Sequence, residues 1–400
     1  MSRWQSAGFG LNRGIQARAR WQSSLISVGL ATIVSLAGGW QWVPSAEMFL
    51  NPVLNQQHNI LTQLHMVTSQ VGWAIIDQHV SHTTDGGQTW QALGPRIPTG
   101  AFVLLVGLDA RDAGIVIETG NVAPLTNRYW WTTNTGQAWH SVRIPWSRDE
   151  PPVSIQMLSP QRGWILTEVD PEAGNETAVV LHTTDGGTRW MALPSSAFPP
   201  NRPSDGNART EPNGLTVAFD KNGVTFRSPQ VGWVTGGNAY PHEVVFDRTT
   251  NGGKTFAAQP LPAIDGQAIG ETDPPIFTTL RTGWLPVQIA HGQGFERTAN
   301  GGQTWVPTTT VFNTSHGTTS WSFVGLDDGW LLANHHLYRT RNCGATWQSL
   351  ATYRRLPHWT AIDFVSPTQG WATTTSTTTP LWETTDGGVH WTPMQPTLVL

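Results

Sequence analysis

Short runs that are apolar, or that alternate apolar with polar residues, recur along most of this 400-residue chain, as in Trp321-Ser-Phe-Val-Gly-Leu326 and Ala361-Ile-Asp-Phe-Val365. Alternation with period two predicts half-buried β-strands, because successive side chains on a strand point to opposite faces. Most runs lead into a Gly-Trp pair, at Gly72-Trp73, Gly163-Trp164, Gly232-Trp233, Gly283-Trp284, Gly329-Trp330 and Gly370-Trp371; one repeat keeps the glycine alone, in Ala113-Gly-Ile-Val-Ile-Glu118. A further run then enters an eight-residue phrase closed by a large aromatic. Its seven copies occupy residues 83–90, 132–139, 183–190, 249–256, 298–305, 340–347 and 384–391. Each repeat predicts four short strands, and a period of about 50 residues marks units that bury their apolar faces only by stacking on neighbours. The predicted fold is all-β, a seven-bladed β-propeller of four-stranded antiparallel blades over residues 47–400.

Each position of the phrase has a physical job. The third is always Asp or Asn (Asp85, Asn134, Asp185, Asn251, Asn300, Asn342, Asp386), whose side-chain oxygen folds back onto backbone N–H groups two residues on and closes a turn. The fifth is always glycine, which supplies the positive φ of a tight turn without a Cβ clash. The eighth is Trp90, Trp139, Trp190, Phe256, Trp305, Trp347 or Trp391, large enough to wedge between two sheets. Backbone capping accounts for the repeated Asp and Asn better than calcium ligation does, so neither a metal nor a cofactor is expected.

The phrase resembles the Asp-box, or bacterial neuraminidase repeat. Its coupling to an upstream Gly-Trp pair resembles the propeller family of photosystem II assembly and stability factors, and the resemblance covers residues from about 60 to 396. It implies a propeller with a non-enzymatic role in assisting a membrane complex. Asp-boxes also occur in sialidases, xyloglucan hydrolases and sortilin-type receptors, so the resemblance speaks to fold more sharply than to activity. This chain departs from the pattern: four boxes carry Asn for Asp, one repeat lacks its Gly-Trp, and one box ends in Phe256.

Composition agrees, with 22 Trp, 41 Gly and 28 Pro but only 12% charged residues, which suits a turn-rich β body. One cysteine, Cys343, stands at the fourth position of the sixth phrase, so no disulfide forms within the chain. Residues 1–46 differ from the rest. They carry Arg3, Arg13, Arg18 and Arg20, no acidic residue, and the uncharged run 24–37. A positive flank before a short apolar core reads as a secretion signal, and extended to Val43 it reads as a membrane anchor, so cleavage and a tether through residues 24–43 both stay open. Either way the chain is expected to be extracytoplasmic, secreted or held at the outer face of the cytoplasmic membrane. Removing the four arginines takes the formal net charge from −4 to −8. An acidic body with two lysines excludes nucleic-acid binding, which needs a basic face against phosphate.

An enzyme needs a constellation, and no catalytic residue is assigned. Arg96-Ile-Pro98 and Arg143-Ile-Pro145 follow their boxes and lack the preceding Phe or Tyr of a sialidase motif, so they read as outer strands ended by proline. A glycoside hydrolase needs two carboxylates facing across a cleft. In xyloglucan hydrolases with these repeats the cleft lies between two propellers, and this chain has length for one. His79 and His82 fall on opposite faces of a strand and do not converge on a metal.

The phrases lie together on one face of the disc. The other face is built from second-to-third strand loops and inter-blade connections, where insertions concentrate: 194–222, 168–176 and 260–273. Long loops in a compact fold carry function disproportionately. Glu168, Glu172, Arg202, Arg209, Glu211, Asp265 and Glu271 are therefore the candidate partner-binding residues. The expected protein is a monomeric, non-enzymatic scaffold for a protein partner, a membrane complex among the candidates. The alternative is a secreted glycan-binding or glycoside-hydrolysing, sialidase-like propeller.

Overall fold

The strands of the first repeat are Leu61–Met66, Gly72–Ile76, His79–Thr83 and Thr89–Arg96, paired antiparallel in chain order. The computed structural model describes residues 60–119, 127–145, 152–169, 177–193, 214–216, 220–238, 243–290, 292–314, 319–334, 336–350 and 359–400. The N-terminal segment, Glu172, Arg202, Arg209 and Glu211 lie outside the described residues. Among those described, the four-strand pattern returns in every repeat, giving seven antiparallel units and an all-β propeller. No helix among them is long and apolar enough to cross a membrane.

The Gly-Trp pair explains how the units stack. In the six units with the pair the glycine faces a large inner-strand side chain, so a Cβ there would strike Met66 at position 72, Met157 at 163, Phe226 at 232, Phe277 at 283, Phe323 at 329 and Phe364 at 370. Lacking that Cβ, the strand lets the ring lie flat on its backbone, where it receives the tryptophan of the preceding unit. Trp164 stacks on Phe226 with ring centroids 3.9 Å apart, Trp284 on Phe323 at 4.4 Å and Trp330 on Phe364 at 3.9 Å. All six Gly-Trp indoles are fully buried. Such aromatic area dominates the burial free energy of the seams.

Neighbouring inner strands are also stitched by side chain to backbone. Gln156 bonds both the N–H and the carbonyl of Phe226, Ser322 Oγ accepts from the Phe364 N–H, and Asp363 Oδ2 accepts from the Met66 N–H at 2.7 Å. The last of these joins the seventh unit to the first. So does the strand Thr397–Val399, which pairs in parallel with residues 89–91 and buries Leu398 beside Trp90.

Two features depart from a regular ring. Outer strands shrink to two residues in the third to sixth units, at Met191–Ala192, Ala257–Ala258, Val306–Pro307 and Gln348–Ser349. In the fifth unit the inner strand is broken into Ile269–Thr272 and Ile276–Phe277, and its first piece crosses the seam so that Glu271 pairs with Gly237 of the fourth unit.

Two loop expectations are corrected here. Glu168 sits inside the strand Arg162–Val169, paired with Ala178, because the third unit's second strand runs on into the span read as a loop. Glu271 is likewise a strand residue, and its Oε1 accepts a 2.9 Å bond from Asn222 Nδ2. The 260–273 connection is folded inward at Ile264, which is fully buried. Of the candidate residues on this connection Asp265 stands exposed, at the turn between the bridged Ile264 and Gln267, with φ 49°.

Candidate functional site

The repeated phrase builds one face of the disc. Thr83 Oγ1 donates to Asp85 Oδ1 at 2.8 Å and accepts from the Gly87 N–H at 3.0 Å, while Asp85 Oδ1 accepts from the N–H groups of Gln88 and Thr89. The Thr-to-Asp/Asn bond recurs at Asn134, Asp185, Asn251, Asn300, Asn342 and Asp386. The cap therefore reaches three and four residues on rather than two, because the threonine hydroxyl already takes the nearer N–H groups. Burial acts upward on the Asp85 carboxyl, but the bonds from Thr89, Thr83 and Gln88 outweigh it and hold it below its ordinary value. These side chains are committed to the backbone. Of the closing aromatics, Trp90, Trp190, Phe256 and Trp305 are buried, and Trp139, Trp347 and Trp391 are half-buried.

A second bond, absent from any sequence signature, ties each phrase to the inner turn of its own unit. The fourth-position N–H donates to an inner-turn carbonyl in all seven units: Gly86 to Gln70, Thr135 to Arg111, Gly186 to Gln161, Gly252 to Gln230, Gly301 to Arg281, Cys343 to Asp327 and Gly387 to Thr368. Thr135 and Cys343 hold φ of 62° and 59° to do so. Inner turns and phrases thus form one rigid face.

On that face, the residue just before six of the seven phrases pairs directly in register with the Gly-Trp tryptophan at the seam to the next unit. The pairs are Trp73 with His82, Trp164 with His182, Trp233 with Arg248, Trp284 with Arg297, Trp330 with Arg339 and Trp371 with Glu383. Three arginines in this position meet different fates. Arg339 has a charge partner: it sits 4.6 Å over the Trp330 ring, donates to Asp328 Oδ1 at 2.9 Å and to the carbonyls of Pro367 and Gly387, and only its buried Nε is left without a partner. Arg297 bonds Cys343, whose thiol donates to Asp327 Oδ1 at 2.9 Å. Arg248, 5.8 Å from the Trp233 ring, has another cation beside it in Arg227. Arg227 donates to the Leu280 carbonyl at 3.1 Å, the Nε of both arginines is buried without a partner, and neither pairs with a carboxylate among the described residues. Burial holds both guanidiniums below the ordinary arginine value, and the Arg227 charge adds to that at Arg248.

The surrounding charges are segregated. In the third to fifth units this face carries Arg162, Arg189, Arg227, Arg248, Lys254, Arg281 and Arg297 against the single acid Asp185. On the remaining units Asp85, Asp109, Asp112, Asp327, Asp328, Glu383 and Asp386 outnumber Arg111, Arg339 and Arg341. A basic sector thus stands on an acidic body, on the face opposite to the connections that the sequence points to. Its legible signal is the arginine directly before Thr249 and Thr298 in a chain poor in cations.

Among the described residues no three metal-ligating side chains converge. Asp247, Glu296 and Asp363 are carboxylates sequestered in three different seams: Asp247 accepts from Thr216 at 2.8 and 2.9 Å, Asp363 from Met66, and Glu296 from no group. These three do not face one another across a common cleft.

No protein-family model matches the chain, and no curated protein sequence matches it. Solved structures do. The GH74 xyloglucanase from Xanthomonas campestris matches with a TM-score of 0.53 at 13% identity, over 83% of this chain and 52% of that one, so the chain spans about half its length. YCF48 from Cyanidioschyzon merolae matches at 0.49 and 14% identity, over 83% and 94% of the two chains. YCF48 bound to D1 peptide matches at 0.49 and 18%, over 74% and 83%. At such identities the likeness is one of fold.

Proposed function

We propose that this chain is a non-enzymatic, extracytoplasmic, monomeric propeller scaffold that holds an acidic segment of a protein partner against the basic sector of its turn face. The observation that carries this reading is the pair Arg227 and Arg248. Two partly desolvated cations side by side disfavour one another, and their buried Nε donors are unmade bonds. A carboxylate relieves both penalties at once, since guanidinium forks bind carboxylates bidentately with charge-assisted bonds. Arg339, whose Nε is likewise without a partner, differs from Arg227 and Arg248 in its charge partner. At the equivalent place, where a carboxylate is available within the chain, the arginine takes it. The flanking cations then steer an acidic segment toward the seam through long-range attraction.

The finer identification, a factor assisting assembly or stability of a membrane complex, follows the sequence resemblance and the outward export that the N-terminal segment suggests. The test is fluorescence anisotropy of the full chain with labelled peptides rich in Asp and Glu, alongside neutral and Lys-rich controls. Acidic peptide binds, weakens as salt rises, and weakens at least tenfold in R227Q and R248Q while R341Q changes little. Equal binding of all three peptides, or turnover of a glucan or sialoside panel, overturns the reading.

A further inference from the structure

Glu296 lies on the third strand of the fifth unit, Gly292–Thr298, fully buried, with neither carboxylate oxygen hydrogen-bonded. The register shows where it points. Glu296 pairs directly with Leu285 and so shares its face, and Gly294, two residues earlier on that face, abuts Ile264. Glu296 therefore enters the seam with the fourth unit, whose apolar wall includes Trp233, Phe246, Ile264, Leu285, Val287 and Trp305. Asp247 occupies the same place in the fourth unit's third strand, two residues before the phrase, and is capped by Thr216. Glu296 has no such cap.

The charged and titratable groups on the elements packed here are Arg248 on Glu243–Thr249, Arg227 after Lys221–Phe226, Arg281 before Gly283–Ile289, and Asp265, Glu271 and Asp273 on the connection between the two units. None of them hydrogen-bonds Glu296. Lys221 interacts with Asp247, which faces the other side of the fourth unit. Burial is what raises the Glu296 carboxyl, to about 8.

We infer that Glu296 is a proton-operated latch on the seam between the fourth and fifth units: protonated, it packs as a neutral side chain, and ionised, it drives the seam open. An ionised carboxylate without partners is strongly disfavoured in an apolar setting. Opening returns it to water and to its ordinary value of 4.5, so the opening equilibrium gains up to tenfold per pH unit between 4.5 and about 8, and levels off above. Arg227 and Arg248 stand at the turn-face end of this seam. The latch thus regulates the binding site of the preceding section if that reading holds, but it is testable without it.

The test is hydrogen exchange by mass spectrometry on the full chain between pH 5 and 9, with rates corrected for intrinsic exchange. Protection in Gly232–Asn238, Glu243–Thr249, Gly283–Ile289 and Gly292–Thr298 falls about tenfold per pH unit up to about 8. The first unit keeps its protection. The neutral variants E296Q and E296M both flatten the dependence; the apolar E296M keeps the test open where the buried amide of E296Q perturbs folding. Unchanged pH dependence in E296M, a loss spread over all units, or no loss at all overturns the latch. No partner enters this measurement, so a failed latch leaves the arginine site standing, and a failed binding assay leaves the latch standing.

Discussion

The indole Nε1 of Trp371 donates to the carbonyl of Gly86 at 3.0 Å, across the join between the seventh unit and the first. Trp330 makes the same 3.0 Å bond to Gly387, one seam earlier. The join thus repeats the geometry of an interior seam. Both indoles are fully buried, so Trp371→Ala and Trp330→Ala each lower stability by about 3–5 kcal/mol in chemical denaturation. A far smaller effect at Trp371 alone means that the ring is loosely joined.

Arg248 and Arg339 hold equivalent positions with opposite surroundings, and substitution separates them. Arg339→Gln strands Asp328 and frees two carbonyls, lowering stability by about 2–3 kcal/mol. Arg248→Gln removes a cation from beside another and changes stability by less than about 0.5 kcal/mol, while acidic-peptide binding falls. Urea titration of the two variants reads the difference directly.

The fourth position of the phrase is glycine in five units but Thr135 in the second and Cys343 in the sixth, both held at positive φ. A β-branched residue resists that conformation, so Thr135→Gly raises stability by about 1 kcal/mol. The fifth position behaves in the opposite sense. A Cβ on Gly187 would stand 2.2 Å from Tyr129 Cε1, so Gly187→Ala lowers stability by about 3 kcal/mol. Thermal melts of the two variants shift in opposite directions.

Asp85, Asp185 and Asp386 carry carboxyls held below the ordinary 3.8, where bonds to the charged form outweigh the upward push of burial. A depressed carboxyl favours the fold above its unfolded value, and that contribution is lost as pH falls through the folded one. The triple variant D85N, D185N and D386N keeps the cap, as four natural Asn copies do, and has nothing to protonate. Its melting temperature falls less between pH 4 and pH 2 than that of the parent chain. Because these side chains are partly exposed, the difference shrinks in high salt.

Strand order, unit boundaries and the shared face of the phrases were legible because each rests on side-chain pattern: alternation, Gly-Trp and the Asp/Asn turn. The tie from Gly86 to Gln70 is made by backbone atoms alone, so no residue type announces it. Glu168 and Glu271 read as loop residues because charge in a Pro- and Gly-rich stretch resembles a loop, whereas Glu168 pairs within its own unit and Glu271 across the seam to the fourth. The Arg227–Arg248 pair stayed hidden for a different reason. It joins an inner turn to the end of a third strand, two places that only the register brings together.

The sealing strand Thr397–Val399 closes on the first unit, whose own strands begin at Leu61. A nascent chain emerging from its amino end therefore displays the outer edge of Thr89–Arg96 without this cover until the seventh unit has been made. Contacts so distant in sequence are slow to form, and an uncovered edge invites pairing with other chains. During vectorial synthesis that edge is therefore exposed for as long as the ring stays open.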